Sequence, residues 1–226
     1  MFNQLGVLFY IKADYAQAET LKRRALAIDE KTYGPDHSEV AIRVGNLASL
    51  FEAIGRFAEA EPLHRRALAI HEASLGLDNP YVAIGLNNLA RLLQATNRLA
   101  EAEPLVRRAL AINEKSYGQD HPKVAIRLSN LAQLLQATNR LAEAEPLVRR
   151  ALAVNEKSYG QDHPSVANRL NNLAMLLQAT NRVAKAEQLM RRALAIFEAS
   201  LGQDHPQAVT ARDNLAALVA ALAKGG

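Results

Sequence analysis

The sequence predicts an all-α fold: an α-solenoid in which about eleven helices form antiparallel hairpins stacked side by side. The first observation is a period of 42 residues, carried by one glycine and one asparagine in each repeat: Gly34, Gly76, Gly118, Gly160 and Gly202, and Asn46, Asn88, Asn130, Asn172 and Asn214. The second is that residues 99–140 and 141–182 differ at only five places. Neighbouring segments this similar are expected to share one structure.

Each repeat is predicted to contain two amphipathic helices, because apolar residues recur at helical spacing in two stretches. In one repeat these residues are Val124, Leu128, Leu131 and Leu135, then Leu141, Ala144, Leu147, Val148, Ala151 and Leu152. Only Thr138-Asn139-Arg140 separates the two stretches, which is too short for anything except a helix hairpin. Small Ala132, Ala144 and Ala151 are expected to let the paired helices approach closely.

The helix bounds follow from these stretches. First helices are predicted near 1–12, 38–54, 80–96, 122–138, 164–180 and 206–223, and second helices near 14–33, 56–75, 98–117, 140–159 and 182–201. We treat 1–226 as a single array whose first repeat is truncated at its N-terminal end, as expected for a fragment of a longer array. Pro62, Pro104 and Pro146 predict that three second helices are bent near their starts or begin later.

Residues between repeats carry cap signals. Gly118 suits a left-handed C-terminal cap, and Asp120-His121-Pro122 suits the entry to the next helix. The histidines that recur here, His37, His121, His163 and His205, are therefore predicted to be turn and cap residues. Tyr117 and its equivalents in other repeats are predicted to fill the space between units.

Composition narrows the function classes. The chain has no cysteine, and no apolar run approaches the roughly 20 residues that cross a bilayer. We therefore expect no disulfide and no membrane span, and the N-terminal residues lack a signal-peptide pattern, so a cytoplasmic location is predicted. The net charge is +4 and the pI is near 9.4, which favours acidic partners.

The positions of small and large residues resemble the tetratricopeptide repeat, since Leu128, Leu131, Ala132, Leu135, Ala144 and Val148 match its motif. The segments 99–111 and 117–122 resemble the long repeats of the kinesin light chain type. The resemblance covers essentially the whole chain, and it implies a superhelix whose first helices line a concave, protein-binding surface. It does not imply cargo transport, because the heptad segment that joins true light chains to their heavy chain is missing.

Four of the five differences between the twin repeats fall on one predicted outward stripe: Lys123/Ser165, Ile126/Asn168, Ser129/Asn171 and Gln133/Met175. The fifth, Ile112/Val154, is a conservative core change. The resemblance implies that the outward stripe faces a ligand groove. Neutral drift of exposed positions is the alternative interpretation.

The recurring asparagines, which we call the asparagine ladder, form the strongest single feature. A side-chain amide offers a donor and an acceptor, which matches one peptide unit of an extended chain. The resemblance implies that these amides grip ligand backbone. The alternative is that each asparagine bonds a neighbouring helix and sets the spacing between units.

Basic side chains beside the ladder favour a neutral or acidic extended peptide, because arginine holds carboxylates well. The candidate peptide-binding residues are Asn46, Asn88, Asn130, Asn172, Asn87, Arg91, Ile126, Ser129, Gln133, Asn168, Asn171, Met175, Arg43, Arg127 and Arg169.

Catalysis, metal binding and cofactors are not predicted, because the same residues repeat along a line instead of converging at one place. His64 and His71 are isolated from any metal-binding motif. The paired arginines of the second helices, such as Arg107-Arg108, follow a glutamate by four residues, so ion pairing is favoured over nucleic-acid binding.

The sequence thus favours a non-catalytic scaffold that binds an extended protein segment. One alternative is self-association into a homo-oligomer through apolar residues of the first helix, Leu5, Leu8, Phe9 and Ile11. Another is a regulatory or sensor part of a larger protein.

Overall fold

The computed structural model describes residues 14–225, with side chains to residue 220, and within that range it contains ten α-helices and no strand. The helices are α1 (Tyr15–Tyr33), α2 (Ser38–Ala53), α3 (Phe57–Leu75), α4 (Pro80–Ala95), α5 (Leu99–Tyr117), α6 (Pro122–Ala137), α7 (Leu141–Tyr159), α8 (Pro164–Ala179), α9 (Val183–Leu201) and α10 (Pro206–Gly225). The predicted helix 1–12, with the apolar residues of the self-association hypothesis, lies outside the described residues.

The predicted bounds of these ten helices agree with the structure to within one residue at either end, except that α10 ends two residues later. The three helices with an internal proline, α3, α5 and α7, begin one residue later than predicted, but so does α9, which has none, so the shift is not an effect of proline. Bending of these helices near their starts stays a prediction. Helix α7 begins at Leu141 and continues through Pro146. Because Ala142 and Pro146 are both exposed, the carbonyl that loses its amide partner lies in the first turn on the solvent side, where water can satisfy it.

The chain divides into two compact units, Met1–Ser116 and Tyr117–Gly226. In the first unit, α1 packs on α2, α2 on α3, and α3 on α4. In the second, α6, α7, α8, α9 and α10 pack in the same successive order. Each unit is therefore a stack of antiparallel helix hairpins, and the assignment of 1–226 to a single array stays a prediction.

Alanine and leucine side chains form the core of the hairpins. Ala132, Ala144 and Ala151 are at most 1% exposed, as expected from their small size at predicted helix contacts. Leu131 and Leu135 of α6 are at most 2% exposed and belong to the apolar stripe predicted for that helix. A small residue facing a large one lets two helices approach while the space between them stays filled.

Two backbone features terminate the helices. Inside the hairpins, Asn97, Asn139 and Asn181 have φ angles of 58–59°, and Gly55 has 76° at the equivalent position. Between repeats, Gly160 has φ 84° and ψ 166°. The prediction of a left-handed helical cap at this glycine is right about positive φ and wrong about ψ, which belongs to an extended region that essentially only glycine adopts.

The recurring histidines cap α2, α6, α8 and α10, as predicted, and Asn79 caps α4. At His121 the ring Nδ1 accepts a hydrogen bond from the backbone N–H of Lys123, at 3.1 Å. The tyrosine that ends the preceding helix stacks on this ring, with centroids 4.8 Å apart for Tyr117 and His121. The prediction that these tyrosines fill the space between units is wrong at Tyr159, which is 45% exposed, because stacking holds its ring at the surface.

Ion pairs join second helices of successive repeats within each unit. In the first unit Arg98 Nη1 lies 2.6 Å from Glu61 Oε2. In the second unit Arg182 Nη2 lies 2.6 Å from Glu145 Oε2, and Arg149 of the same helix as Glu145 binds its other oxygen at 2.8 Å. Hydrogen bonds from Arg182 and then Arg149 lower the pKa of Glu145 to about 2.

Substituting Gly160 tests the backbone constraint. Nothing lies within 4 Å of a Cβ added at Gly160, so Gly160→Ala adds backbone strain without a clash. We expect a loss of about 1–3 kcal/mol in the free energy of unfolding, measured by urea denaturation.

Gly45→Ala is the matched control, because its added Cβ also meets nothing within 4 Å but its backbone is helical. It should stabilise the chain by roughly 0.5–1 kcal/mol. Equal effects of the two substitutions would contradict the backbone argument.

Replacing Glu145 with glutamine tests the ion pairs between repeats. The folded-state pKa of about 2 lies below the ordinary value of 4.5, so the stabilisation is complete above pH 4.5 and is lost as the pH falls toward 2. The difference in Tm between wild type and Glu145→Gln should be about 2–4 °C at pH 7 and vanish near pH 2, after allowance for solvent screening.

Glu187→Gln serves as the control for that measurement. Glu187 is paired with Arg191 four residues along the same helix, at 2.7 Å, and exposed pairs of this type contribute about 0.3–0.5 kcal/mol. A Glu145→Gln effect that matched this control, or that did not depend on pH, would show that the ion pair between repeats adds no stability.

Candidate functional site

The predicted site residues lie on the first helices of the repeats. We call the solvent-facing side of α2 and α4 in the first unit, and of α6 and α8 in the second, the first-helix face. Within a unit these helices contact one another: Arg91 of α4 binds Glu52 of α2 at 3.1 Å, and Arg169 of α8 donates to Ser129 of α6 at 2.6 Å. The residues of the first-helix face therefore lie along adjacent helices in each unit.

Large apolar side chains are exposed on this face. Ile84 and Ile126, at equivalent positions, are both 46% exposed, and Met175 is 52% exposed. Tyr81 of α4 is also exposed, at 49%. Most other large apolar residues of these four helices are buried, so the exposed ones are available to contact a ligand. Gln133, the equivalent of Met175 in the preceding repeat, is also exposed.

The asparagine ladder is half-buried on the same face. The side chains of Asn46, Asn88 and Asn172 make no hydrogen bond to the described residues, whereas Asn130 has a partner within the protein. Two candidate asparagines outside the ladder also have partners: Asn87, and Asn168, whose amide donates to the carbonyl of Pro164 at 3.1 Å. The ladder amides therefore differ from repeat to repeat, and only some have capacity left for an outside group.

Ser129 is a correction to the predicted stripe. It is only 4% exposed, because its hydroxyl donates to the carbonyl of Ala125 at 3.0 Å and accepts from Arg169 of the next first helix. A small hydroxyl at this position is covered by the long side chain of its neighbour. Ser129 positions Arg169 and does not itself lie on the open surface.

Two of the predicted arginines are already ion-paired. Arg43 Nε lies 2.6 Å from Asp29 Oδ2 of α1, and Arg91 binds Glu52 as described above. Their charges are therefore partly neutralised by the protein itself. This lowers their capacity to attract a ligand carboxylate.

Arg127 and Arg169 are different, because no carboxylate is paired with either one among the described residues. The position of Asp29 is taken by Asn155 in the second unit, and that amide bonds the carbonyl of Ser165 at 3.2 Å. The Nε atoms of both arginines are buried without a hydrogen-bond partner. Burial lowers the pKa of both guanidinium groups.

A recess in the second unit is lined by residues that flank Arg169 in the sequence. Asn168 and Asn171 line it together with Phe197 of α9 and the start of α10. The Oδ1 atom of Asn171 is buried there without a hydrogen-bond partner. An N–H group from outside the protein would satisfy it.

Sequence reasoning missed a cavity of about 190 Å³ in the first unit, between α2, α3 and α4. Asn46 and Asn88 of the ladder line it, and so do His64 and His71 of α3. The sequence does contain a signal for this cavity, because several of its residues differ from those at the equivalent positions of other repeats. At the positions of these histidines the next two repeats have valine and asparagine, and Gly85 stands where Arg43, Arg127 and Arg169 stand elsewhere.

The arginine pairs of the second helices are bound to glutamates. Arg23, Arg65, Arg107, Arg149 and Arg191 each lie 2.7–2.8 Å from the glutamate four residues earlier. In the first unit, Arg66 and Arg108 also reach Glu30 and Glu72 of the preceding repeat, at 2.7 and 2.5 Å. These contacts confirm the predicted ion pairing.

The part of the chain that the structure describes contains no group of three or more histidines and acidic residues arranged to hold a metal ion. None of the helices in that part is long and apolar enough to cross a membrane.

Comparison with known proteins agrees with this architecture. Similar solved structures include a kinesin light chain candidate from Podosopora anserina with nearly identical TPR-like repeats, at 25% identity and a TM-score of 0.78, covering 88% of this chain and 94% of that one. BtubC (BKLC) from P. vanneervenii matches at 26% identity and a TM-score of 0.75, covering 93% of this chain and 82% of that one.

YrrB, a TPR protein with an unusual peptide-binding site, shares the fold at 18% identity and a TM-score of 0.54, covering 94% of this chain and 90% of its own. Among curated protein sequences, none matches this chain. The sequence profile of the tetratricopeptide repeat family matches residues 1–73, 41–115, 81–157, 128–199 and 165–224. The chain therefore belongs to the tetratricopeptide repeat family, and its structural relatives include proteins of the kinesin light chain type.

Proposed function

We propose that this tetratricopeptide repeat chain is a non-catalytic scaffold that binds an extended, acidic segment of a partner protein on its first-helix face. Members of this family are typically interaction scaffolds, and stacked repeats offer long surfaces suited to extended ligands.

The observation that carries the proposal is the state of Arg127 and Arg169. A partly buried guanidinium without a carboxylate loses hydration and gains no ion pair in return. An aspartate or glutamate of a ligand would supply the missing partner and bond the arginine bidentately. Arg43 shows the satisfied state within the same chain, because Asp29 fills this role there.

The neighbouring residues suit the rest of such a segment. Asn130 and Asn172 lie three residues beyond the two arginines, on the same side of each helix. The amide of Asn172 makes no hydrogen bond to the described residues and could bond ligand backbone. Exposed Ile126 and Met175 could contact the ligand's apolar side chains.

The double substitution Arg127→Gln with Arg169→Gln tests the charge requirement. Binding of fluorescently labelled acidic ten-residue peptides, chosen from an array and measured by anisotropy, should weaken at least about tenfold. The Tm should change little, because neither cation has a carboxylate partner and the hydrogen bond from Arg169 to Ser129 is the one side-chain hydrogen bond removed among the described residues.

Arg149→Gln with Arg191→Gln is the matched control, since it changes the net charge equally but removes exposed arginines that are bound to Glu145 and Glu187. It should change peptide affinity less than about twofold. Equal losses for both pairs would mean that the peptides respond only to overall charge.

Asn172→Ala tests backbone recognition separately. We expect the affinity for the same peptides to fall about five- to tenfold, the effect of losing one or two hydrogen bonds. The Tm should change little, because this amide has no hydrogen bond to lose in the free protein. A large drop in Tm with unchanged affinity would assign Asn172 a structural role instead.

A further inference from the structure

The cavity in the first unit is lined by two buried histidines, and only one of them has a hydrogen-bond partner. His64 is 2% exposed, and its Nε2 lies 3.3 Å from Glu52 Oε2, which also binds Arg91. His71 is 7% exposed, and neither ring nitrogen has a hydrogen-bond partner. The backbone of Ser38 approaches the ring without completing a hydrogen bond, and Tyr81 packs against it with centroids 5.6 Å apart.

An unpartnered buried imidazole in a cavity points to a ligand with a polar group, because a buried donor or acceptor without a hydrogen bond destabilises the folded protein. Burial lowers the pKa of His71, so at neutral pH the ring is uncharged and offers one donor and one acceptor. A hydroxyl, which both donates and accepts, pairs with either tautomer. A carboxylate or phosphate would bring an unmatched charge into this site.

The volume of the cavity and its other lining residues determine the size and apolar character of the ligand that fits. About 190 Å³ is somewhat more than the roughly 150 Å³ of a cavity that holds benzene. Ala41, Ile42, Ala67 and Ile84 supply an apolar wall. One six-membered ring with a single polar substituent fits this space.

The array itself shows what fills this position when the arginine is absent. Ala211 replaces the arginine in the last repeat, and there the equivalent of His71 is Phe197, which is 3% exposed and packs with Ala211 in the core. In the first unit Gly85 is smaller than alanine and His71 is smaller than phenylalanine. The remaining space lies where an aromatic ring packs in the second unit.

We propose that the cavity lined by His71, Gly85, Asn46 and Asn88 binds an uncharged phenol ring whose hydroxyl is hydrogen-bonded to the imidazole of His71. The ring could belong to a tyrosine of a bound segment, in which case the assignment rests on the proposed function, or to a free phenol. Asn46 and Asn88 at the cavity are placed to bond the backbone of a segment in the first case.

Titration of the full chain with p-cresol tests the cavity directly. Calorimetry should give saturable binding about tenfold tighter than that of toluene, which lacks the hydroxyl, and than that of 4-methylbenzoate, which is charged. With isotope-labelled histidine, the NMR signals of the His71 ring should shift on adding p-cresol. Equal affinities for p-cresol and toluene, or an unchanged His71 signal, would overturn the proposal.

Two variants keep the test independent of folding. His71→Asn installs the residue found at Asn113 and Asn155 and should weaken p-cresol binding about tenfold. Gly85→Arg installs the arginine of three other repeats and should abolish binding by filling the space. His163→Asn, the same change at a cap histidine of the second unit, should leave the affinity unaltered, and a loss there equal to that of His71→Asn would also overturn the assignment.

A peptide arm distinguishes the two sources of the ring. If an acetylated, amidated Gly-Gly-Tyr-Gly-Gly peptide binds tighter than p-cresol, and Asn46→Ala with Asn88→Ala removes the gain, the ring is a tyrosine side chain. If the peptide binds more weakly than p-cresol, the ligand is a free phenol. Because p-cresol reports only on this cavity, its binding can succeed or fail independently of the acidic peptides that contact Arg127 and Arg169.

Discussion

The close packing of buried alanines against leucines within each hairpin is the constraint on which the other features depend. In the first unit one buried cluster joins Ala41 and Leu47 of α2 to Ala60 and Ala67 of α3. This packing uses one side of each first helix completely, so polar and basic residues of that helix must lie on the opposite side. Because adjacent first helices contact each other, the side left open forms a continuous surface within each unit.

The helices could be predicted closely from the sequence because their ends are marked by local chemistry. A glycine that essentially must adopt positive φ recurs with the period, and three of the five first helices described begin at a histidine–proline entry, so helix bounds depend little on distant contacts. The effect of the proline inside the second helix is harder to predict, because it depends on solvent exposure of the first turn. That exposure is set by packing and not by the local sequence.

The site was harder to predict, because its properties depend on what a neighbouring repeat supplies. Helical periodicity placed Ser129 on the outward stripe, but only contact with Arg169 shows that it is covered. The same periodicity treats Arg43, Arg127 and Arg169 as equivalent, although Asp29 neutralises only the first. The cavity was not predicted because it arises where Gly85 lacks the side chain that other repeats have at this position. A search for the repeat period detects residues that recur more readily than a side chain that is absent from one repeat.

The sequence separation of the ion pairs has a consequence for how such a chain can change length. Within each unit, partners in successive repeats are 37 residues apart, as in Arg98–Glu61 and in Arg182–Glu145. A duplication or loss of whole 42-residue periods would preserve this separation between partners. An insertion of another length would change the separation in every pair that it spans. Duplication of a whole repeat in the gene would therefore lengthen the first-helix face. The near-identity of residues 99–140 and 141–182 is what a recent duplication would leave behind.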